Sequence, residues 1–175
     1  IPFDEGWEAP HALTLDEIPG VIQSFRDGAR RALAAGFQAI EIHGAHGYLL
    51  SSFLSPLANH RSDAYGGDIN ARARLACEVT EAVRGDLPDE VPIIVRVSAT
   101  DWREGGNTLD DMIAASKLLK GAGADMIHVS SGGNHPHPPA THPGYMVGFS
   151  EAIRRGADIP TIAVGLIRHP ELAEE

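Results

Sequence analysis

The sequence predicts an α/β fold built on a parallel sheet. Short β-branched runs alternate with stretches of helical periodicity, and polar or glycine-rich sequence follows the end of each run. With 175 residues the chain is sized for one domain. Two architectures fit: an open doubly wound sheet, or part of a (β/α)8 barrel. A full TIM barrel takes about 250 residues and eight strands. Four strands are legible here, so a barrel would be half present. The chain starts at Ile1 and stops within Pro170-Glu-Leu-Ala-Glu-Glu175, which reads as the beginning of a helix. Residues 1–175 are expected to be a single domain cut at both ends, in one or the other of these architectures.

Residues 1–13 are polar and proline-rich, an extended lead-in. Thr14-Leu-Asp-Glu17 has the spacing of a capping box, and Ile18, Val21, Ile22, Phe25 and Ala29 then keep helical period, which predicts a helix over 15–35 closed by Gly36. Pro19 falls in its first turn and a half, where proline costs least. Gln38–Ile42 alternates as a strand. A helix follows over about 69–84, a strand over 93–97, a helix over 109–120 and a strand over 125–129. A short helix over 150–155, a strand over 161–164 and a last helix near His169 complete the order. The order requires βαβ crossovers and hence parallel strands.

Composition excludes several classes of function. The chain carries 14 basic and 24 acidic residues, a net charge of −10, which argues against wrapping a nucleic-acid backbone. Its one cysteine, Cys77, cannot form an internal disulfide or a multi-cysteine metal site, so a reduced, cytoplasmic setting is expected. Cys77 lies among Ala73, Leu75, Ala76 and Val79, the surroundings of a structural thiol. No apolar run is long enough to cross a membrane.

Ligands of parallel α/β folds bind at the C-terminal ends of the strands. The first strand is followed by His43-Gly-Ala-His46-Gly-Tyr48. Two imidazoles at a strand-to-helix turn can hold an oxygen that gains negative charge, and a neighbouring phenol can donate a proton. Two rival readings stand beside this: a zinc site on His-x-x-His with a third ligand, and histidines satisfied by backbone. His60, His128, His135, His137 and His142 lack any fixed metal-ligand spacing, and no metal is assigned. Arg96 sits in the apolar strand Ile93-Ile-Val-Arg-Val97. A buried arginine demands an anionic partner, either Glu41 on the adjacent strand or an acceptor-rich bound cofactor. The loop from Gly132 to Gly144 is proline-rich and reads as a semi-rigid lid rather than a metal site. Gly165-Leu166 follows the last strand and precedes a helix, a weak anion-site signal. Ser51, Ser52 and Ser55 lie near the histidines, but no Gly-x-Ser-x-Gly elbow is present.

The run Gly36-Phe-Gln-Ala-Ile-Glu-Ile-His43-Gly-Ala-His46-Gly-Tyr48 closely resembles the old yellow enzyme family of FMN-dependent ene-reductases, in its NADPH dehydrogenase and xenobiotic reductase branch. Phe53-Leu-Ser-Pro56, Asn59-His-Arg61-Ser-Asp63, Tyr65-Gly-Gly67 and Asn70-x-Arg72 extend the match. Ile94-Val-Arg96-Val-Ser98, Val129-Ser-Ser-Gly132, Pro143-Gly-Tyr145 and Ala163-Val-Gly-Leu-Ile167 add shorter matches in the same order. The resemblance implies a (β/α)8 barrel, of which this chain covers strands four to seven. It implies hydride transfer from NADPH or NADH through FMN to an activated C=C bond of a small-molecule substrate, and allows a homo-oligomer. It places His43 and His46 on the substrate oxygen, Tyr48 as proton donor, Arg96 beside the flavin, and Gly165 and Leu166 at the start of the phosphate site. It draws further flavin contacts, a redox-tuning Cys or Thr and a Gln, from strands outside this sequence, so the chain alone is expected to bind FMN weakly or not at all and to be inactive. Two other readings remain: a flavin-independent barrel lyase or isomerase with His43 or His46 as general base, and a non-catalytic fragment.

Overall fold

The computed structural model describes residues 4–136 and 139–174. Helix α1 (Ile18–Ala34) leads into β1 (Ile40–Gly44), α2 (Leu49–Leu54), α3 (Ile69–Arg84) and β2 (Ile93–Ser98). Then come α4 (Leu109–Gly121), β3 (Met126–Ser130), α5 (Val147–Ala157), β4 (Thr161–Ala163) and α6 (Pro170–Glu174). All four strands are parallel and lie side by side in chain order.

Alternation along the strands decides between the two expected architectures. Ile42, Val95 and Ile127 share one face, are buried, and meet the helix layer, in which α1 packs on α3, α3 on α4 and α4 on α5. Their neighbours Glu41, His43, Ile94, Arg96, Met126 and His128 point to the other face and are not fully covered. A doubly wound sheet carries helices on both faces. Strands in sequential order with helices on one face form an arc of a (β/α)8 barrel, here open rather than closed. The inner face is partly polar. It carries Glu41, His43, Arg96 and His128, because the period of two that buries Ile42 and Val95 turns these groups inward.

Three elements depart from the sequence reading. Helix α1 begins at Ile18 rather than 15, because Pro19 has no N–H to give the Leu15 carbonyl. Thr14 and Glu17 instead close a tight turn: the Glu17 carboxylate accepts from the Thr14 N–H at 2.7 Å and its hydroxyl at 3.0 Å. The six-residue α2 was not expected; it is too short for periodicity to declare itself. Helix α5 spans Val147–Ala157 instead of 150–155, and its N-cap, Met146, offers no capping oxygen to mark the start. Helices α3 and α4 start as their caps dictate. The Asp68 side chain accepts from the Ala71 N–H, and Thr108 and Asp111 form a reciprocal capping box.

Candidate active site

His43, Arg96 and His128 are register partners on β1, β2 and β3, so their side chains leave the same inner face in one row. Beyond β1 the chain turns sharply through His46 (φ 63°) and Gly47 (φ 75°). Two glycines make this turn possible. A Cβ on Gly47 would lie 2.0 Å from the Gly133 carbonyl oxygen, and one on Gly133 would lie 2.2 Å from the His46 Cα. The loops after β1 and β3 are thus pressed backbone to backbone. Ser98, at the end of β2, joins them: its hydroxyl accepts from the His46 N–H at 3.1 Å and donates to the Gly132 carbonyl at 2.8 Å. The result is a cluster of three rings. His43 and His46 are 5.3 Å apart between centroids, and His43 and Tyr48 are 5.4 Å apart. His46 Nε2 lies 2.6 Å from the Ser130 hydroxyl, and Tyr48 stands exposed at the rim.

Electrostatics sets the protonation of this cluster. Burial, then the nearby Arg96 charge, pushes the pKa of both His43 and His46 below the ordinary histidine value. Both rings are therefore neutral at pH 7, each with one N–H to donate. The internal ion pair weighed for Arg96 does not form. Glu41 instead meets His128 across β2, with Oε2 2.7 Å from Nδ1. Glu41 lies opposite Ile94, one row below the row that holds both Arg96 and His128, and its carboxylate reaches past β2 to the latter. Arg96 keeps a buried Nε with no hydrogen-bond partner, and His128 a buried Nε2 in the same condition. Arg96 thus leaves a buried donor unpaired on the inner face of the sheet.

Gly165 (φ 116°) and Leu166 (φ 58°) form the turn after β4. The Gly165 carbonyl accepts from the Gly144 N–H at 2.6 Å, and a Cβ on Gly165 would reach the Met146 nitrogen at 2.9 Å. The last helix starts only at Pro170, so this turn does not itself cap a helix. The loop after β3 is anchored at its start: Asn134 donates to the buried Asp101 carboxylate at 2.7 Å, and His135 Nε2 lies 2.9 Å from the Asp101 carbonyl. His137, within the proposed lid, lies outside the described residues. Among the described residues no three His, Cys, Asp or Glu side chains are placed to hold a metal ion.

Sequence reasoning missed Asp101 as an organising group. Its carboxylate also accepts from the Ser55 hydroxyl at 2.6 Å and the Asn107 N–H at 2.8 Å, tying three loops together under the site. The signal was an aspartate between Thr100 and Trp102 at a strand end, which composition cannot separate from a surface carboxylate. Trp102 packs edge-on against Phe149 at 5.3 Å. The serines near the histidines are structural. Ser51 accepts from the Gly47 N–H, Ser52 donates to Leu49 and Ser55 binds Asp101. The block from Asn59 to Arg72 is structural too. Asn59 donates to the carbonyls of Phe53 and Tyr65, and buried Arg72 to those of Leu54 and Gly67 and to the Asn107 side chain.

The fold defines the chain as a partial arc of a (β/α)8 barrel, with the ring cluster at the C-terminal end of its first strand. The family model described as NADH:flavin oxidoreductase / NADH oxidase matches residues 4–175, and the chain belongs to this family. It is 48 % identical over 176 residues to the NADPH dehydrogenase of Clostridium acetobutylicum, covering all of this chain and 52 % of that protein. It is 49 % identical to the NADPH dehydrogenase of a Geobacillus species, covering all of this chain and 51 % of the other. The chain thus spans about half the length of the curated relatives it matches. Among solved structures it is similar to a 2-naphthoyl-CoA reductase in complex with 2-naphthoyl-CoA, with a TM-score of 0.90 and 27 % identity over 99 % of this chain and 27 % of that one. It is also similar to morphinone reductase in complex with tetrahydroNAD, with a TM-score of 0.66 and 30 % identity over 89 % of this chain and 40 % of that one. Among the described residues no helix is long and apolar enough to cross a membrane.

Proposed function

We propose that residues 1–175 form one part of a barrel domain that binds FMN and passes hydride from NADPH or NADH to the activated C=C bond of a small-molecule substrate. The observation that carries this reading is the placement of three rings, His43, His46 and Tyr48, with the unpaired Arg96 on the face from which His43 and Arg96 project together. FMN, when bound, supplies the hydride chemistry. Arg96 would hold its acceptor edge and favour the negative charge gained on reduction. The turn at Gly165-Leu166 would begin the phosphate site.

The chain's own residues then divide the work. His43 and His46, kept neutral by burial and by Arg96, donate N–H groups to the carbonyl or nitro oxygen of the substrate. His46 Nε2 lies 2.6 Å from the Ser130 hydroxyl, and in the tautomer in which that hydroxyl donates, the His46 proton is carried on Nδ1. The donors draw electron density toward that oxygen and leave the far carbon of the alkene electron-poor. Tyr48, at the rim, gives its phenolic proton to the carbon next to the activating group.

Tyr48→Phe, made in the protein expressed from its complete reading frame, tests the assignment by stopped flow. Alkene reduction should slow by about 10²- to 10⁴-fold, the range for losing a positioned acid, while flavin reduction by NADPH keeps its rate. Unchanged alkene reduction would remove Tyr48 from the mechanism, and a colourless wild-type protein would overturn the flavin reading.

A further inference from the structure

We infer that Asp101 and Asn134 are positioning residues: together they latch the turn that carries His46 and Tyr48 into its reacting place. The inference rests on the flavin reading above. Asp101, in the loop after β2, is fully buried. Its Oδ2 accepts from the Asn107 N–H at 2.8 Å and the Ser55 hydroxyl at 2.6 Å. Its Oδ1 accepts from Asn134 Nδ2 at 2.7 Å. A carboxylate oxygen here can only meet the NH2 side of the Asn134 amide, so this bond fixes which way Asn134 faces. From that position Nδ2 also reaches the Ser51 hydroxyl at 3.3 Å, and the Ser51 hydroxyl accepts from the Gly47 N–H at 3.1 Å.

The latch acts on the turn by two routes. One is the hydrogen-bond chain from Asp101 through Asn134 and Ser51 to Gly47, the residue between His46 and Tyr48. The other is steric: Gly133, joined to Asn134, lies so close to His46 that a Cβ there would come within 2.2 Å of its Cα. The turn needs such support, because His46 has φ 63°. A residue other than glycine keeps a left-handed conformation only where its surroundings over-determine it. Neither Asp101 nor Asn134 has a part in the proton and oxygen chemistry proposed for His43, His46 and Tyr48.

The test exchanges the two partners in the complete protein. Asp101→Asn can turn its carbonyl to Asn107 and Ser55, but then sets its NH2 against the NH2 of Asn134, two donors face to face. Asn134→Leu removes the amide, and it carries the test if Asp101→Asn does not fold. Combining Asp101→Asn with Asn134→Asp sets an NH2 against a carboxylate again. Amide hydrogen exchange at Gly47 should quicken about tenfold or more in each single variant, stay unchanged along β2, and return to within about threefold of wild type in the swap. When pre-reduced protein is mixed with saturating enone, alkene reduction should slow about 10²-fold in each single variant, as for a displacement of about 1 Å at a reacting centre, and recover in the swap. Three results overturn the latch: Gly47 exchange as slow as in wild type in both single variants, faster exchange with alkene reduction unchanged, or a swap no better than Asp101→Asn alone. A wild-type protein that binds no FMN overturns the flavin reading instead, and the exchange rates then still decide whether Asp101 and Asn134 hold the turn.

Discussion

Gly133→Ala is the substitution whose effect the structure fixes most closely. Gly133 has φ 96°, and a Cβ there would sit 2.2 Å from both the Cα and the carbonyl carbon of His46. Ordinary contact begins at 3.4 Å, so one of the two backbones must retreat. The neighbouring Gly132 provides the control. It also has positive φ, at 70°, but its nearest obstacle is Trp102 Cδ1 at 3.7 Å. Alanine at Gly132 therefore incurs only the left-handed backbone penalty, about 1–2 kcal/mol. Alanine at Gly133 adds an overpacking cost of about 1–3 kcal/mol, for about 2–5 kcal/mol in all. The strain also falls on His46, and a misplacement of about 1 Å at a reacting centre can cost about 10²-fold in rate. Urea unfolding of both variants in the complete protein, with m-values unchanged, measures the first quantity. Turnover of an enone, with loss confined to Gly133→Ala, measures the second. Equal unfolding midpoints and equal turnover for the two variants would refute the account of how the loops after β1 and β3 meet.

The pH dependence of stability should carry the mark of the two histidines. Above the ordinary value of 6.5 both are neutral folded and unfolded and contribute no linkage. As the pH falls through 6.5 the unfolded chain takes protons first, so stability declines until the folded rings also protonate; replacing both with Asn should flatten the change in midpoint between pH 7.5 and 5.5. Arg72→Met should destabilise by about 3 kcal/mol in chemical unfolding, since it strands three acceptors at roughly 1 kcal/mol each. Burial, with help from Glu81 and Glu78, pushes the Cys77 thiol up to about 11, so its alkylation at pH 8 should run far slower than that of a free thiol and reach the free rate only on unfolding.

The sequence by itself determined the local features. Periodicity placed the cores of α1, α3 and α4. β-branched runs placed the four strands, within a residue or two at their ends. His43, His46 and Tyr48 could be read as a group because they are neighbours in the chain at a strand end, and Arg96 stood out because an arginine within an apolar strand is costly without a partner. Tertiary structure decided what depends on residues far apart in sequence. Glu41 pairs with His128, two strands away, rather than with Arg96 on the adjacent strand, a choice that only the placement of the side chains in three dimensions reveals. The one-sided helix layer, visible only once the strands are ordered, made the sheet a barrel arc rather than a doubly wound sheet. The roles of Asp101 and Ser98, and the need for glycine at 47 and 133, arise where separate loops touch, and such contacts leave no periodic trace along a single chain.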